Sequence, residues 1–455
     1  MHTARPNVVL VLADQWRAQA CGYAGNDQVQ TPVLDRFAAH SHNFTHALSG
    51  IPVCTPARGC LLTGQYALSH GLFLNDVHLA DDVESMGKIF ARNGYDTAYI
   101  GKWHVDGRGR DAAIPPESRQ GFAYWKTLEC THDYNHSIYY DHDAVEPSLW
   151  PEYDAVAQTR DACAYIANRE AARPFLLCLS WGPPHAPYET APPAYRARYD
   201  AAALRLRPNV PPEMEAQARE WIAGYYAHCT ALDDCFADLL ACLDEAGIAD
   251  DTIVLFFSDH GDMLGSQGET KKQRPWEESI RVPFLLRYPR GLGAAGSVRT
   301  APIDTVDVLP TLMDLCGIAP QDSIQGLNYG PYLRGGADPS GGQALVMCIH
   351  PFGQFTVQDG GREYRGIVTD RYTYVESLEG PWLLYDNQAD PYQLQNLVQQ
   401  PAAAARQAQL HAELHALLRA RGDEFLPGTD YVAQWGYTID ETGTVPYHFK
   451  YGVSS

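Results

Sequence analysis

No run of apolar residues in this chain is long enough to cross a bilayer. The longest candidates, residues 8–13 and 252–257, have the length of a strand. Positive charge is short as well: 34 Lys and Arg stand against 55 Asp and Glu, a formal net charge of −21. That balance argues against nucleic acid or an anionic membrane as a partner. The amino terminus, Met1-His2-Thr3-Ala4-Arg5-Pro6, lacks the apolar segment of a signal peptide, so the expected compartment is the cytoplasm unless a leader has been trimmed. The 11 cysteines are odd in number and scattered through apolar segments, as at Cys178 and Cys316. This opposes a disulfide framework and favours a reducing compartment. Internal repeats are missing too.

What is there is ordinary for a globular protein. Hydrophobic residues make up 45% of the 455 and charged residues 20%, enough for a sizeable core and more than one domain. Residues 7–13 are a continuous apolar run rich in β-branched side chains, the pattern of a strand buried on both faces. Similar runs follow at 96–100, 175–180, 252–257 and 282–287, with helical patterns over 31–38, 83–93, 220–246 and 304–316. Residues 105–173 are aperiodic, rich in Tyr, His and Asp, and read as long loops over a site. Alternating strands and helices predict an α/β fold built on a mostly parallel sheet.

Beyond a Gly/Pro-rich stretch at 335–342 the character changes. Short strands at 344–349, 364–369, 372–376 and 382–385 precede a helix over 401–421. The expected division is a catalytic α/β body, 1–338, and an α+β subdomain with a short antiparallel sheet, 339–455. The aromatic tail, 423–455, has no legible pattern.

Four strands end in chemistry-bearing residues: Asp14, Lys102, His185 and Asp259. In open α/β sheets the ligand crevice lies beyond the carboxyl ends of the strands, which gathers these four along one edge. Asp14 and Asp259 supply two carboxylates, Gln15 a carbonyl oxygen and His260 an imidazole, a donor set for a divalent cation. Read singly, Asp14 is equally a helix cap and His260 an outer donor. Asp262 is an outer partner or a turn residue, with nothing to choose between them.

The stretch Cys54-Thr55-Pro56-Ala57-Arg58 adds a sulfur atom at the start of a predicted helix. Pro56 suits a first helical turn, where free N–H groups and the macrodipole favour an anion, and Arg58 brings a permanent cation. C-T-P-A-R-G-C-L-L-T-G-Q resembles the signature of the type I, formylglycine-dependent sulfatases of the alkaline phosphatase superfamily. S-D-H-G-D, G-K-W-H, P-P-H-A-P, K-Q-R-P-W-E-E-S and L-Y-D-N-Q-A-D-P-Y-Q-L-Q-N-L extend that resemblance along most of the chain in order.

The resemblance implies an alkaline-phosphatase-like fold and hydrolysis of sulfate monoesters, of a sulfated carbohydrate or a small aryl or alkyl sulfate. It implies conversion of Cys54 to formylglycine by a maturation enzyme. One divalent cation would be held by Asp14, Gln15, residue 54, Asp259 and His260. Ca²⁺ comes first and Mn²⁺ second, although the imidazole suits manganese better. The implied roles are Arg58 holding the hydrated aldehyde, Lys102 and Lys272 neutralising the sulfuryl oxygens, and His185 acting as general acid, helped by Lys272. His104 would take the final proton, and Lys271 competes with Lys272 for its place. Gln15 and His260 resemble the branch containing phosphonate monoester hydrolases and choline sulfatases, so a phosphonate monoester or phosphodiester hydrolase is the rival reading. A binder of sulfated ligands with Cys54 unmodified is the third.

Candidate substrate-binding residues are His70, Asn75, Asp106 and Trp276. The pair His411 and His415, spaced i, i+4, lacks the adjacent Glu of the zinc-protease pattern and reads as a solvated helix face. The sequence leaves homo-oligomerisation open.

Overall fold

The computed structural model describes residues 5–449. Four long strands and a short one form the centre of a ten-stranded sheet: β1 (Asn7–Asp14), β2 (Asp96–Lys102), β3 (Phe175–Pro184), β4 (Thr252–Ser258) and the short β5 (Phe284–Arg287). Their spatial order is β5-β4-β1-β3-β2, parallel except for β5. Strand β1 is central because both of its faces are apolar. Val8, Leu10 and Leu12 enter one core, while Val9, Val11 and Ala13 enter the other. This is the two-residue alternation of a strand roofed on both sides. Truncating Leu10 to Ala would leave a cavity costing about 2–5 kcal/mol.

One layer is dominated by the helix Glu215–Glu245, whose buried face includes Ile222, Leu232, Phe236 and Leu239. The opposite layer contains α1 (Cys54–Thr63), buried along its whole length. Helix α1 stops at Gly64, whose φ of 63° ends it in the left-handed conformation that glycine adopts freely.

Three expectations need correcting. Residues 105–173 are not mainly loops: Tyr124–Leu128 pairs with β2, Ile138–Asp141 and Ser148–Leu149 continue the sheet, and Asp154–Asn168 is a helix. These edge strands are short and half-polar, so they lack the apolar run that marks a buried one. The 304–316 helix starts with a 3-10 turn, Thr305–Asp307, behind an Asp304/Asp307 capping box, and is α-helical only over Val308–Leu315. Within the tail, Gly428–Trp435 is a helix, and beyond it Tyr437 donates a hydrogen bond to the Gly71 carbonyl at 2.9 Å.

A second, antiparallel sheet comprises β6 (Gln343–Cys348), β7 (Tyr364–Thr369), β8 (Tyr372–Ser377) and β9 (Gly380–Asp386) in sequential order. Helix α2 (Ala404–Arg421) lies on it through Leu410, Leu414 and Leu418, spaced four apart on one face. Among the described residues no helix is long and apolar enough to cross a membrane.

Candidate active site

The carboxyl edge of the central sheet carries the site. Asp14 ends β1, Lys102 ends β2, His185 follows β3, and Asp259 and His260 follow β4. Helix α1 points its first residue, Cys54, at that edge. The helix has no capping side chain at Val53; instead the Thr55 N–H donates to Asn75 Oδ1 at 3.1 Å.

Ligating atoms of Asp14, Cys54, Asp259 and His260 all lie within 4.8 Å of one another, and all four residues are buried. Cys54 Sγ is 3.1 Å from His260 Nε2 and 3.7 Å from Asp14 Oδ1. His260 Nδ1 donates to the Gly261 carbonyl at 3.0 Å, so Nε2 faces the cluster and offers its lone pair there when the ring is neutral. Gln15 borders the cluster: its backbone N–H donates to Asp259 Oδ1 at 3.1 Å and its side-chain carbonyl accepts from Lys272 Nζ at 2.8 Å. Its Nε2 donates to Asp262 Oδ2 at 2.6 Å, an oxygen that also takes the Tyr188 hydroxyl at 2.5 Å. Asp262 thus orients the Gln15 amide through Oδ2 while its Oδ1 accepts from the Leu264 N–H at 3.2 Å, so it fills both of the roles that the sequence offered.

Charge balance explains how two carboxylates survive without solvent. Burial and the charge of Asp14 push Asp259 above the ordinary carboxylate range. For Asp14, burial is outweighed by Lys102, His185 and Arg58, which hold it well below that range. Arg58 clamps both: Nε donates to Asp259 Oδ2 at 3.1 Å and Nη2 to Asp14 Oδ2 at 3.2 Å. Its Nη1 goes to the Lys102 carbonyl and Ser180 Oγ, so Arg58 braces the carboxylates from behind. The two facing carboxylates, the imidazole lone pair and the amide carbonyl fit a divalent cation, which would relieve the repulsion that raises Asp259.

In front of the cluster lies a cavity of about 550 Å³ lined by Cys54, Asn75, Lys102, His104, His185 and Lys272, among others. Lys102 Nζ is 2.6 Å from Asp14 Oδ2. Lys272 Nζ reaches Gln15 Oε1 at 2.8 Å, Cys54 Sγ at 3.3 Å and His185 Nε2 at 2.5 Å. Burial and Asp14 raise the Cys54 thiol, but Lys102, Lys272 and His260 outweigh them and bring it well below the ordinary thiol range.

His185 donates from Nδ1 to the Ala186 carbonyl at 2.7 Å, so Nε2 accepts from Lys272. Burial and the Lys272 charge depress it well below the ordinary imidazole range. His104 is the opposite case. Burial works against its charge, but Cys130 and Asp76, whose Oδ1 is 3.6 Å from Nε2, push it up to about 9.

The proposed substrate-binding residues divide. Asn75 lines the cavity, with its carbonyl engaged by α1. The other three do not line it. His70 is buried behind α1 and accepts from Leu72 N–H at 3.1 Å. Asp106 is paired with Arg108 at 2.9 Å. Trp276 packs against Trp382 under the second sheet and donates to the Tyr385 hydroxyl. Each obeys a local packing demand that composition alone does not reveal.

The cavity is also lined by residues that no motif singles out. His132 stacks on His185 with ring centroids 4.7 Å apart. Arg110 grips Asp76 through two hydrogen bonds, at 2.9 and 2.8 Å, and its guanidinium lies 3.5 Å above the Tyr447 ring. Thr444 and Tyr447 bring the tail to the cavity wall, and Lys271, the candidate that competed with Lys272, lines it as well. No motif announces a tail contact of this kind.

A family model described as Sulfatase matches residues 6–318. The chain belongs to the sulfatase family. A second model, N-sulphoglucosamine sulphohydrolase, C-terminal, matches residues 265–420 of this sulfatase. The Ulvan-active sulfatase of Formosa agariphila is 43% identical over 450 residues, covering 97% of this chain and 87% of that one. The Endo-4-O-sulfatase of Bacteroides thetaiotaomicron is 30% identical, covering 86% and 88%. Among solved structures, yidJ of Bacteroides fragilis, a protein assigned as a sulfatase, superposes with a TM-score of 0.84 at 27% identity, covering 95% and 98%. The enzyme is thus a sulfuric ester hydrolase with an alkaline-phosphatase-like fold, and its family implies a divalent metal and a formylglycine.

Proposed function

We propose that this sulfatase removes sulfate from a sulfated polysaccharide or an oligosaccharide derived from it, of the ulvan kind, using residue 54 as formylglycine. The observation that carries the reading is the convergence of Cys54 with Asp14, Asp259 and His260 on a cavity lined by Lys102 and Lys272. Formylglycine supplies, as its hydrate, one hydroxyl to attack sulfur and a second through which sulfate is released. A maturation enzyme makes it from the thiol, and Sγ stands where the modified residue carries its oxygen.

Asp14, Gln15, Asp259 and His260 would hold the cation, with residue 54 beside it. The cation supplies positive charge that polarises the sulfuryl oxygens and the nucleophile. Ca²⁺ is the ion of choice and Mn²⁺ the alternative that His260 accommodates. Arg58 holds the two carboxylates in place and would so position them for the ion. Lys102 and Lys272 neutralise charge on the sulfuryl oxygens, where fixed cations in a dry site act strongly. The proton for the leaving alcohol comes from the Lys272–His185 pair. A neutral His185 accepting from the Lys272 ammonium supports a shared proton better than an imidazolium acting alone. His104, charged beside Asp76 and Cys130 at rest, must release its proton before it can take one from the second hydroxyl.

A sugar suits the outer wall, where Arg110, Tyr447 and His132 offer a charged fork and flat rings. The division into a catalytic body, 1–338, and a subdomain, 339–455, belongs to the same reading, with the tail serving the cavity. The test compares turnover of sulfated ulvan oligosaccharides, p-nitrophenyl sulfate and a phenylphosphonate ester by the mature enzyme. The expected ranking places the oligosaccharide first. A large excess of phosphonate over sulfate turnover would transfer the site to the rival hydrolase.

A further inference from the structure

Away from the catalytic cavity, the second sheet and α2 bring together a set of donors that the sulfatase reaction does not use. Glu376 lies on β8, and His411 and His415 stand one turn apart on α2. His411 Nδ1 contacts Glu376 Oε1, and His415 Nε2 is 2.9 Å from Glu376 Oε2. The nearest ligating atoms of all three lie within 4.8 Å of one another, and the two imidazole centroids are 4.3 Å apart.

The solvated helix face expected from the sequence would leave both rings turned to water. Both rings do keep contact with water, but each also turns a nitrogen onto one carboxylate. They approach it through different ring nitrogens, Nδ1 of one and Nε2 of the other, so the convergence is not a repeat of one local rotamer. The scaffold is imposed independently of these polar groups. Leu410, Leu414 and Leu418 seat α2 on the sheet, and Tyr374 donates its hydroxyl to Glu376 Oε1 at 2.5 Å, fixing the carboxylate. The Glu376 side chain is 6% exposed, while those of His411 and His415 are 51% and 37% exposed, so the cluster is anchored on one side and open on the other.

We propose that Glu376, His411 and His415 form a second metal site, one that takes a borderline divalent transition ion such as Zn²⁺. Two imidazoles and one carboxylate suit such an ion and are a poor set for calcium, which prefers oxygen. Histidines at i and i+4 on one helical face form a natural two-point chelate. A carboxylate from the neighbouring strand completes three protein ligands, with water in the fourth position. The bound ion ties α2 to β8. A groove of about 380 Å³, which His411 and Tyr374 help to line, gives solvent access to that side.

The probe is ZnCl₂, titrated by calorimetry into full-length enzyme saturated with calcium, beside Glu376→Gln, His411→Ala and His415→Ala variants. The catalytic cluster is identical in all four proteins, so a difference between them reports this site. One Zn²⁺ equivalent is expected in the parent enzyme that each variant weakens by at least about tenfold. Titration with Co²⁺ is expected to give a visible absorption band in the parent that the His411→Ala variant lacks. His411 is half-exposed, so its replacement leaves the core intact, and a circular dichroism spectrum matching the parent checks this. Equal Zn²⁺ stoichiometry and affinity in the parent and in folded His411→Ala and His415→Ala variants would overturn the proposal.

Discussion

Two clusters of like composition sit in this molecule under unlike conditions. At the rim of the central sheet, Asp14, Cys54, Asp259 and His260 come from three separate segments and are all buried. On the second sheet, Glu376, His411 and His415 come from one strand and one helix, and the histidines remain partly exposed. The rim cluster is threaded with cations, Arg58 and Lys102 on the carboxylates and Lys272 on the sulfur, and it opens on a cavity of about 550 Å³. Among the described residues, the Glu376 carboxylate is bonded by Tyr374 and the two histidines, with no lysine or arginine on it. Donor atoms alone therefore do not make a catalytic centre. Fixed positive charge, dryness and room for a substrate do, because they let the site stabilise charge that develops during reaction.

The sharpest way to break this contrast is to remove the sulfur. Cys54→Ala should lower kcat by at least about 10⁴-fold, as loss of a covalent nucleophile does. Its circular dichroism spectrum and Tm should match the parent. Retained turnover would place the chemistry elsewhere.

Next in size are the proton carriers. Lys272→Ala and His185→Ala should each cost about 10²–10³-fold in kcat on a carbohydrate sulfate. The deficit should shrink on p-nitrophenyl sulfate, whose leaving group needs little protonation. Steady-state rates on the two substrates measure this, and equal deficits would deny the pair its acid role.

A smaller effect belongs to the outer wall. Tyr447→Ala removes the ring stacked under the Arg110 fork and should raise KM for an oligosaccharide by about tenfold, with kcat little changed. On p-nitrophenyl sulfate it should be nearly silent.

The smallest concerns stability. Burial pushes the Glu129 carboxyl up to about 7, while its Oε1 accepts from Asp106 and Gly107 N–H groups. A carboxyl whose folded pKa is raised holds a proton that the unfolded chain releases. Its contribution is complete below the unfolded value, near 4.5, and is lost as pH rises to about 7. The slope is about 1 kcal/mol per pH unit at most. Glu129→Gln keeps the acceptor and removes the ionisation, so its Tm should fall less than the parent's between pH 4.5 and 7. Parallel Tm profiles would remove Glu129 as the cause.

Much of this was legible in the sequence because the central strands are simple objects. A strand buried on both faces must be continuously apolar, and its polar terminus then marks the edge, so residues 7–15 and 252–260 announced themselves. The cation donors and Lys272 followed from that edge and from the motif around Cys54. The outer wall was not legible, since Arg110, His132 and Tyr447 meet only through the path of loops and tail. His70 and Trp276 carried suitable functional groups but answered to neighbouring packing. The histidine pair on α2 is half-solvated, as its helix face predicts, but its contact with Glu376 was not legible, because that residue lies on a strand that periodicity could place but not register.

The central claim is that activity resides in residue 54 once it is oxidised to the aldehyde. The direct test is the mass of the tryptic peptide Phe37–Arg58, measured across preparations matured to different extents, against specific activity on one sulfate ester. Conversion replaces CH₂SH by CHO, a loss of one sulfur and two hydrogens and a gain of one oxygen. Activity should rise in proportion to the converted fraction and extrapolate to zero when only thiol remains. Full activity in a preparation whose peptide carries the intact thiol would contradict the account.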